Sequence, residues 1–171
     1  EPAEECFRKA IDADPNMPEA YSNIGNVLQG LTRYQEAVES YRRAIEIRPD
    51  YAEAYNNLAN SYGQTGPVVK AFELYAKAIE MNPKQAIYYH NLASVIVLNR
   101  KEAAEHYRIA EQQVLRHALE LYRLARKFDP GSFQLATDLA QVYYGLQPPD
   151  HEGAAAAWSA ASCASPRTCS L

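Results

Sequence analysis

The sequence has little glycine and no long apolar run, and each shortage excludes a class of protein. Seven glycines among 171 residues are too few for the many tight turns of an all-β fold. No stretch approaches the eighteen consecutive apolar residues of a membrane-spanning helix. The opening Glu-Pro-Ala-Glu-Glu lacks the basic start and apolar stretch of a secretory signal. We therefore expect no membrane partner.

A basic surface is also missing from this sequence. Its 17 lysines and arginines are outnumbered by 21 acidic residues, which gives a net charge of −4. A nucleic-acid binder neutralises phosphates with clustered positive charge, and the composition offers no such excess. We therefore predict that neither DNA nor RNA is a partner.

Cysteine is scarce, and the few cysteines have no metal-binding spacing. Three occur, Cys6, Cys163 and Cys169, an odd number without a CxxC pair. We interpret them as packing or surface residues. A disulfide between Cys163 and Cys169 is the alternative, and it would require an oxidising compartment.

Familiar catalytic and cofactor motifs are absent as well. The sequence contains no glycine-rich phosphate loop, HExxH pair or nucleophile elbow. The best candidate metal ligands are His106 and His117, with Glu102, Glu105 and Glu111 nearby. Acids and bases alternate in this segment as intrahelical ion pairs do, so solvated helix charges are the preferred interpretation. We predict no enzyme activity, no cofactor and no metal.

What the sequence does contain is a repeat with a period of 34 residues. Aligning AYSNIGNVLQGLTRYQEAVESYRRAIEIRP with AYNNLANSYGQTGPVVKAFELYAKAIEMNP superposes Tyr21 on Tyr55 and keeps the offset of 34 throughout. The prolines that close the repeats lie 34, 34, 47 and 36 residues apart, at Pro15, Pro49, Pro83, Pro130 and Pro166. Two repeats are therefore regular and two carry insertions.

Each repeat ends in the same helical pattern, a small residue, an aromatic four positions later and an alanine three after that. These spacings place the three side chains on one helix face, and the following proline ends the helix. The occurrences are Ala3, Phe7 and Ala10; Ala37, Tyr41 and Ala44; Ala71, Tyr75 and Ala78; Ala118, Tyr122 and Ala125; and Ala154, Trp158 and Ala161. The pattern predicts one amphipathic helix at the end of every repeat.

The first helix of each repeat has an aromatic, an aliphatic three positions later and then a small residue. The sets are Tyr21, Ile24 and Gly25; Tyr55, Leu58 and Ala59; Tyr89, Leu92 and Ala93; and, without the aromatic, Ala136, Leu139 and Ala140. Small residues let antiparallel helices approach closely, and aromatics fill the layer between hairpins. The chain resembles the tetratricopeptide repeat family. The resemblance implies an all-α fold, an α-solenoid of about nine helices in which antiparallel pairs form a right-handed superhelix.

The resemblance also divides the chain into a single array. Residues 1–15 match only the second helix of a repeat, so we expect a fragment of a longer protein that lacks the partner of this helix. Repeats are expected over 18–51, 52–85 and 86–132, and the last repeat with its tail over 133–171. Pro148 and Pro149 mark the turn between the helices of that last repeat.

The repeat over 86–132 is the longest, with 13 extra residues and no Gly or Pro between Pro83 and Pro130. Its apolar residues recur at intervals of three and four, so we predict that the insertion is helical and lengthens both arms of the hairpin. The turn is predicted near Arg108 to Ala110, with Asn99 and Arg100 as the alternative.

The resemblance implies which side chains face a partner, because in this family the first helix of each repeat lines a concave groove. The candidate peptide-binding residues are Asn23, Asn26, Asn56, Asn57, Asn60, His90, Asn91 and Asp138. No lysine or arginine is among them, so nothing would offset the desolvation of an acidic tail. We expect the partner segment to be neutral or mildly basic.

Three of these asparagines, Asn23, Asn57 and Asn91, recur every 34 residues. A primary amide carries donors and an acceptor, so a column of amides can pair with the peptide groups of an extended segment whatever its side chains. The alternative is that the asparagines bond locally or to water. The ladder is similar to the one in the repeat arm of O-linked N-acetylglucosamine transferases.

Three functions are compatible with these patterns. The preferred one is a protein–protein interaction scaffold that binds an extended peptide or partner segment in the groove. The second is the recognition arm of a larger enzyme, such as a glycosyltransferase, whose catalysis lies outside this chain. The third is a structural element that self-associates through Tyr107, Ile109, Val114 and Leu115, if these are exposed. Without that contact we expect a monomer or weak self-association.

Overall fold

Helix is the only regular secondary structure in the described part of the chain. The computed structural model describes residues 2–146 and 150–164, with side chains for 4–146 and 150–159. The described residues form ten α-helices, which confirms the all-α prediction and its helical hairpins. They divide into two compact units, unit 1 (Glu1–Pro83) and unit 2 (Lys84–Leu171). Across the described ranges, no helix has both the length and the apolar character needed to cross a membrane.

Unit 1 is a run of five helices in which each helix packs on the next. The helices are α1 (Pro2–Ala13), α2 (Pro18–Gly30), α3 (Tyr34–Ile47), α4 (Ala52–Thr65) and α5 (Val68–Met81). The loops are too short to carry the chain across a helix, so sequential neighbours are antiparallel hairpins. Helix α2 also touches α4, so the first helices of two successive repeats lie side by side.

The core of unit 1 consists of the residues that the repeat pattern marks. Ala37, Tyr41 and Ala44 of α3 are each 0% exposed. Their counterparts on α5, Ala71, Tyr75 and Ala78, are 0%, 2% and 0% exposed. The prediction that these positions share one buried helix face is confirmed, because spacings of four and three return the side chain to the same side of a helix.

Two glycines of unit 1 hold positions that other residues would fill poorly. Gly66 ends α4 with φ 114°, a left-handed conformation that side chains disfavour. Gly25 of α2 lies against the ring of Tyr41, and a Cβ built there would be 2.5 Å from its Cε1 atom. The α2–α3 hairpin therefore closes more tightly than an alanine would allow.

Unit 2 also contains five helices, but its first hairpin is enlarged. The helices are α6 (Ala86–Leu98), α7 (Arg100–Tyr107), α8 (Glu111–Phe128), α9 (Phe133–Gly145) and α10 (His151–Ala164). Helix α8 packs extensively on α6, and α9 packs on both α8 and α10. The short α7 rests on α8 with Ala103 buried between them.

The helical segment is interrupted at both of the predicted alternative turns. At the first, Asn99 separates α6 from α7 and its Nδ2 donates to the carbonyl of Val95 at 2.9 Å. At the second, Arg108 has φ 54° after α7. The prediction that both arms lengthen is wrong for α6, which has 13 residues like α2. The extra residues form α7 and extend α8 to 18 residues, which raises the helix number from about nine to ten.

Some predicted features lie outside the described residues. These are the turn at Pro148 and Pro149, the closing Pro166, and Cys169 of the alternative disulfide. The side chains of Ala161 and Cys163 also lie outside the described side chains. Cys6 is a free, exposed thiol on α1.

Candidate functional site

Four of the predicted site residues form one polar patch on unit 1, which we call the amide face. It consists of Asn23 and Asn26 on α2 and of Asn57 and Asn60 on α4. On each helix the two asparagines are three positions apart, so they share a side. The two on α2 are exposed and the two on α4 are half-buried.

A hydrogen bond between the two helices holds the amide face together. The Nδ2 of Asn57 donates to the Oδ1 of Asn26 at 3.0 Å. The same Oδ1 also lies 2.7 Å from the hydroxyl of Tyr41, which reaches it from α3. This hydroxyl is 2.9 Å from the Oε1 of Gln29 as well. One tyrosine proton is thus shared between two amide oxygens of α2.

The tyrosine contact recurs in the later hairpins. The hydroxyl of Tyr75 donates to the Oδ1 of Asn60 at 2.5 Å, and that of Tyr122 lies 2.9 Å from the Oγ of Ser94. Burial raises the pKa of the Tyr75 hydroxyl well above its ordinary value and that of Tyr122 to about 12. Each of these tyrosines is therefore a neutral donor or acceptor at physiological pH.

The internal bonds leave the amide face with more free donors than free acceptors. The oxygens of Asn26 and Asn60 are occupied by tyrosine hydroxyls, and that of Asn57 accepts from the Nδ2 of Asn56 at 3.0 Å. A primary amide has two N–H groups. Asn26 and Asn60 keep both, Asn57 keeps one, and Asn23 makes no hydrogen bond to another described residue.

Asn56 is a correction to the predicted site. It is only 5% exposed, because it follows Tyr55 on the side of α4 that packs into the unit, about 100° around the helix from Asn57. Its Nδ2 donates to the Oδ1 of Asn57, so the side chain lies beneath the amide face and does not form part of its surface. The adjacent positions look equivalent in the sequence, and only packing separates them.

The charges beside the amide face are acidic. Neither α2 nor α4 contains a lysine or an arginine. Glu53 is exposed one turn before Asn57 and is close enough for its charge to raise the pKa of Tyr41, after the larger effect of burial. Glu19, in the equivalent position of α2, is neutralised by an ion pair with Arg48. The face therefore carries a weak negative field from one side.

In unit 2 two predicted site residues bond to each other. The Nε2 of His90 on α6 lies 2.7 Å from the Oδ2 of Asp138 on α9, and the other oxygen of Asp138 accepts from the Nε2 of Gln134 at 2.8 Å. The His90 ring also lies 5.7 Å from the ring of Tyr122. Side-chain exposures of 21% and 18% make the His90–Asp138 pair only partly accessible.

Asn91 is half-buried on α6 and already interacts with its surroundings. The structure brings Asn26 and Asn57 into contact within unit 1, whereas Asn91 belongs to unit 2. The three-step ladder of Asn23, Asn57 and Asn91 stays a prediction from the sequence period.

The alternative sites in the enlarged hairpin can be placed as well. Of the four residues named for self-association, Tyr107 and Ile109 are exposed, but Val114 and Leu115 are 1% and 7% exposed. Val114 and Leu115 are on the face of α8 that packs into the unit, so that surface is smaller than expected. Among the described residues no group of three or more histidine, cysteine or acidic side chains could hold a metal ion.

The tyrosine hydroxyls are the part of the site that sequence reasoning missed. The helical pattern predicts only that Tyr41 and Tyr75 share one helix face with the neighbouring alanines, and their rings are buried. A signal for their second role exists: each lies 15 residues after the asparagine that it contacts, Asn26 or Asn60. A shared spacing between a polar and an aromatic residue in successive repeats indicates a contact that recurs with the fold.

Two protein-family models match the middle of the chain. Residues 33–66 match a family model described as TPR repeat, and residues 52–85 match one described as Tetratricopeptide repeat. No curated protein matches the sequence.

Solved structures match over most of the chain. A crystal structure of MamA has a TM-score of 0.74 at 21% identity, covering 94% of this chain and 85% of that one. MamA 41-end from Desulfovibrio magneticus RS-1 has a TM-score of 0.72 at 18% identity, covering 92% and 81%. YrrB, described as a TPR protein with an unusual peptide-binding site, has a TM-score of 0.54 at 21% identity, covering 96% and 95%. At identities this low, these structural matches show that the fold is shared and nothing more.

Proposed function

Because this chain is a tetratricopeptide repeat protein, we propose that it is a protein-interaction scaffold whose amide face binds an extended segment of a partner. The observation that supports this function most directly is the state of the four asparagines. The oxygens of Asn26, Asn57 and Asn60 accept hydrogen bonds inside the protein, and N–H groups of these amides are left on the surface. Such a surface matches the carbonyl groups of a peptide backbone.

The spacing of the donors suits an extended peptide. Side chains three positions apart on a helix are about 5–6 Å from one another. Alternate carbonyls on one side of an extended strand are about 6.6 Å apart, twice the rise of about 3.3 Å per residue. The pair Asn23 and Asn26, or Asn57 and Asn60, can therefore reach successive carbonyls of the same edge. Each such bond contributes about 0.5–1.5 kcal/mol.

The charge around the face limits the sequence of the partner. An acidic segment would meet Glu53 and would find no lysine or arginine on α2 or α4. A neutral segment loses little on binding, and one basic residue gains from the nearby carboxylate. We therefore propose a neutral or mildly basic segment, recognised mainly through its main chain.

The test is a selection followed by mutation of the face. A random peptide library displayed on phage is panned against the full chain, and recovered peptides are titrated by fluorescence anisotropy. We expect Asn23→Ala combined with Asn57→Ala to weaken binding about tenfold, which is about 1.4 kcal/mol. Asn16→Ala, an exposed asparagine in the loop before α2, is the matched control and should change nothing.

A second variant tests whether the face acts as a donor. Asn23→Asp keeps the shape of the side chain but replaces N–H groups with carboxylate oxygens, so it should weaken binding at least as much as Asn23→Ala. Binding that survives both Asn23→Asp and the double alanine variant would contradict the proposed role of the amide face.

A further inference from the structure

Unit 1 has a cleft on another side, which we call the basic cleft. It has a volume of about 400 Å³ and lies between α3 and α5 above α4. Tyr55 and Tyr62 form its floor, and its rim carries Arg42 from α3 with Lys70 and Lys77 from α5. The cleft thus combines aromatic rings with three cations in a small space.

The cations are held over the tyrosine rings. The Nζ of Lys77 lies 4.8 Å from the ring centre of Tyr55, and the Nζ of Lys70 lies 5.8 Å from that of Tyr62. Arg42 lies 5.9 Å from the same ring of Tyr62 and donates from Nη2 to its hydroxyl at 2.6 Å. Cation–π contacts of this kind fix where the charges lie without neutralising them.

The cleft has more positive than negative charge. Arg42 is paired with Glu39 at 3.2 Å. Among the described residues, Lys70 and Lys77 have no carboxylate within the 4.0 Å of an ion pair, although Glu73 lies between them on α5. Three cations against two carboxylates, Glu73 of the lining and Glu39 on Arg42, leave a balance of +1 around the cleft. The two lysines are available to an anionic group.

The equivalent cleft one repeat earlier has the opposite charge. It lies between α1 and α3 above α2, with Tyr21 in place of Tyr55 and Arg8 in place of Arg42. Glu36 and Glu39 line it where Lys70 and Glu73 line the basic cleft. The same fold thus supports both signs, so the positive rim belongs to this repeat and is not required for packing.

From this arrangement we propose that the basic cleft binds an acidic segment of a partner protein. Carboxylates of the segment pair with Lys70 and Lys77, and one apolar side chain enters the cleft above Leu58 and beside Leu74. The site is a single bounded cleft with an apolar floor, in a chain of net charge −4. A nucleic-acid backbone would need a longer positive track.

The basic cleft is separate from the amide face. Tyr55, Leu58 and Tyr62 follow one another at spacings of three and four on α4, while Asn57 and Asn60 occupy another side of that helix. The inference therefore goes beyond the proposed function and does not depend on it. Acidic and neutral segments would bind to different surfaces of the same unit.

The test uses the full chain and a fluorescein-labelled octapeptide, Glu-Asp-Glu-Leu-Phe-Glu-Asp-Glu, titrated by anisotropy at low and physiological salt. We expect saturable binding that weakens as salt rises. Lys70→Glu with Lys77→Glu should weaken it at least tenfold, and Lys70→Gln with Lys77→Gln should do so without adding negative charge. Circular dichroism checks that each variant is folded.

Two controls make the result specific. Lys9→Glu with Lys84→Glu changes the net charge equally at two exposed lysines outside the cleft and should leave affinity within twofold. Asn23→Ala with Asn57→Ala should also bind the acidic peptide normally. An absence of saturable binding, an equal loss in the Lys9 and Lys84 variant, or equally strong competition by a single-stranded oligonucleotide or inorganic phosphate would each overturn the proposal.

Discussion

The hydroxyl of Tyr41 on α3 lies 2.7 Å from the amide oxygen of Asn26 on α2, and thereby joins the buried core of a hairpin to its polar surface. The same relationship recurs between Tyr75 and Asn60 in the next hairpin. These contacts fix the directions in which the side-chain amides of Asn26 and Asn60 point. The core tyrosines therefore set which hydrogen-bonding groups the amide face offers to a partner.

Removal of the Tyr41 hydroxyl should destabilise the protein modestly. We expect Tyr41→Phe to lower the free energy of unfolding by about 1 kcal/mol, because the hydrogen bond is lost while the exposed Asn26 can rebind water. Urea denaturation measures the change. Tyr34→Phe is the control, since the Tyr34 hydroxyl has no hydrogen-bond partner among the described residues. Equal stability of the Tyr41 and Tyr34 variants would contradict the prediction.

A methyl group at Gly25 should be costly even though it favours helix. Gly25→Ala would place Cβ 2.5 Å from the buried Tyr41 ring, and overpacking of this kind costs about 1–3 kcal/mol. The higher helix propensity of alanine offsets only about 1 kcal/mol of this destabilisation. Gly30→Ala, where the same methyl meets nothing within 4 Å, is the control. Thermal melting should show a lower midpoint for Gly25→Ala alone.

Alkaline pH should destabilise unit 2 through Tyr122. Burial raises the pKa of its hydroxyl from 10.0 to about 12, so the folded state favours the protonated form. This stabilisation is complete below pH 10 and is lost as the pH rises toward 12. The full effect is about 3 kcal/mol. In urea denaturation between pH 8 and 12, Tyr122→Phe should lose less stability than the wild-type chain; parallel curves would exclude the effect.

The attachment of α1 should depend on Glu4. This carboxylate is 8% exposed and bonds to Arg8 at 2.7 Å and to Arg33 at 3.1 Å. The hydrogen bond from Arg8, followed by the charge of Arg33, lowers the pKa of Glu4. Its stabilisation is therefore present above the ordinary pKa of 4.5 and lost as the pH falls below it.

Hydrogen exchange of the α1 amides tests this attachment. Glu4→Gln should reduce their protection at neutral pH, and protection in the wild-type chain should fall on acidification. Glu5→Gln, which breaks only the exposed pair of Glu5 with Lys9, should leave protection unchanged. If both variants exchange alike, Glu4 does not hold α1 in place.

The repeat pattern was sufficient to predict the hairpins and their buried faces. Ala37, Tyr41 and Ala44 are buried because their spacing matches the helical period, a local property that a sequence displays directly. The end of α6 at Asn99 was harder to predict from the sequence, since no glycine or proline marks it. There a side chain ends the helix by bonding to the carbonyl of Val95.

The sequence by itself determined the all-helical repeat, its 34-residue period and the residue types available to a partner, because these follow from periodicity and composition. Only the tertiary structure decided that Asn56 is buried while Asn57 reaches the surface, and that tyrosines occupy the amide oxygens. It also decided that Lys70 lies over the ring of Tyr62 and Lys77 over the ring of Tyr55. Such outcomes depend on how neighbouring helices pack, and the spacing along one helix does not encode them.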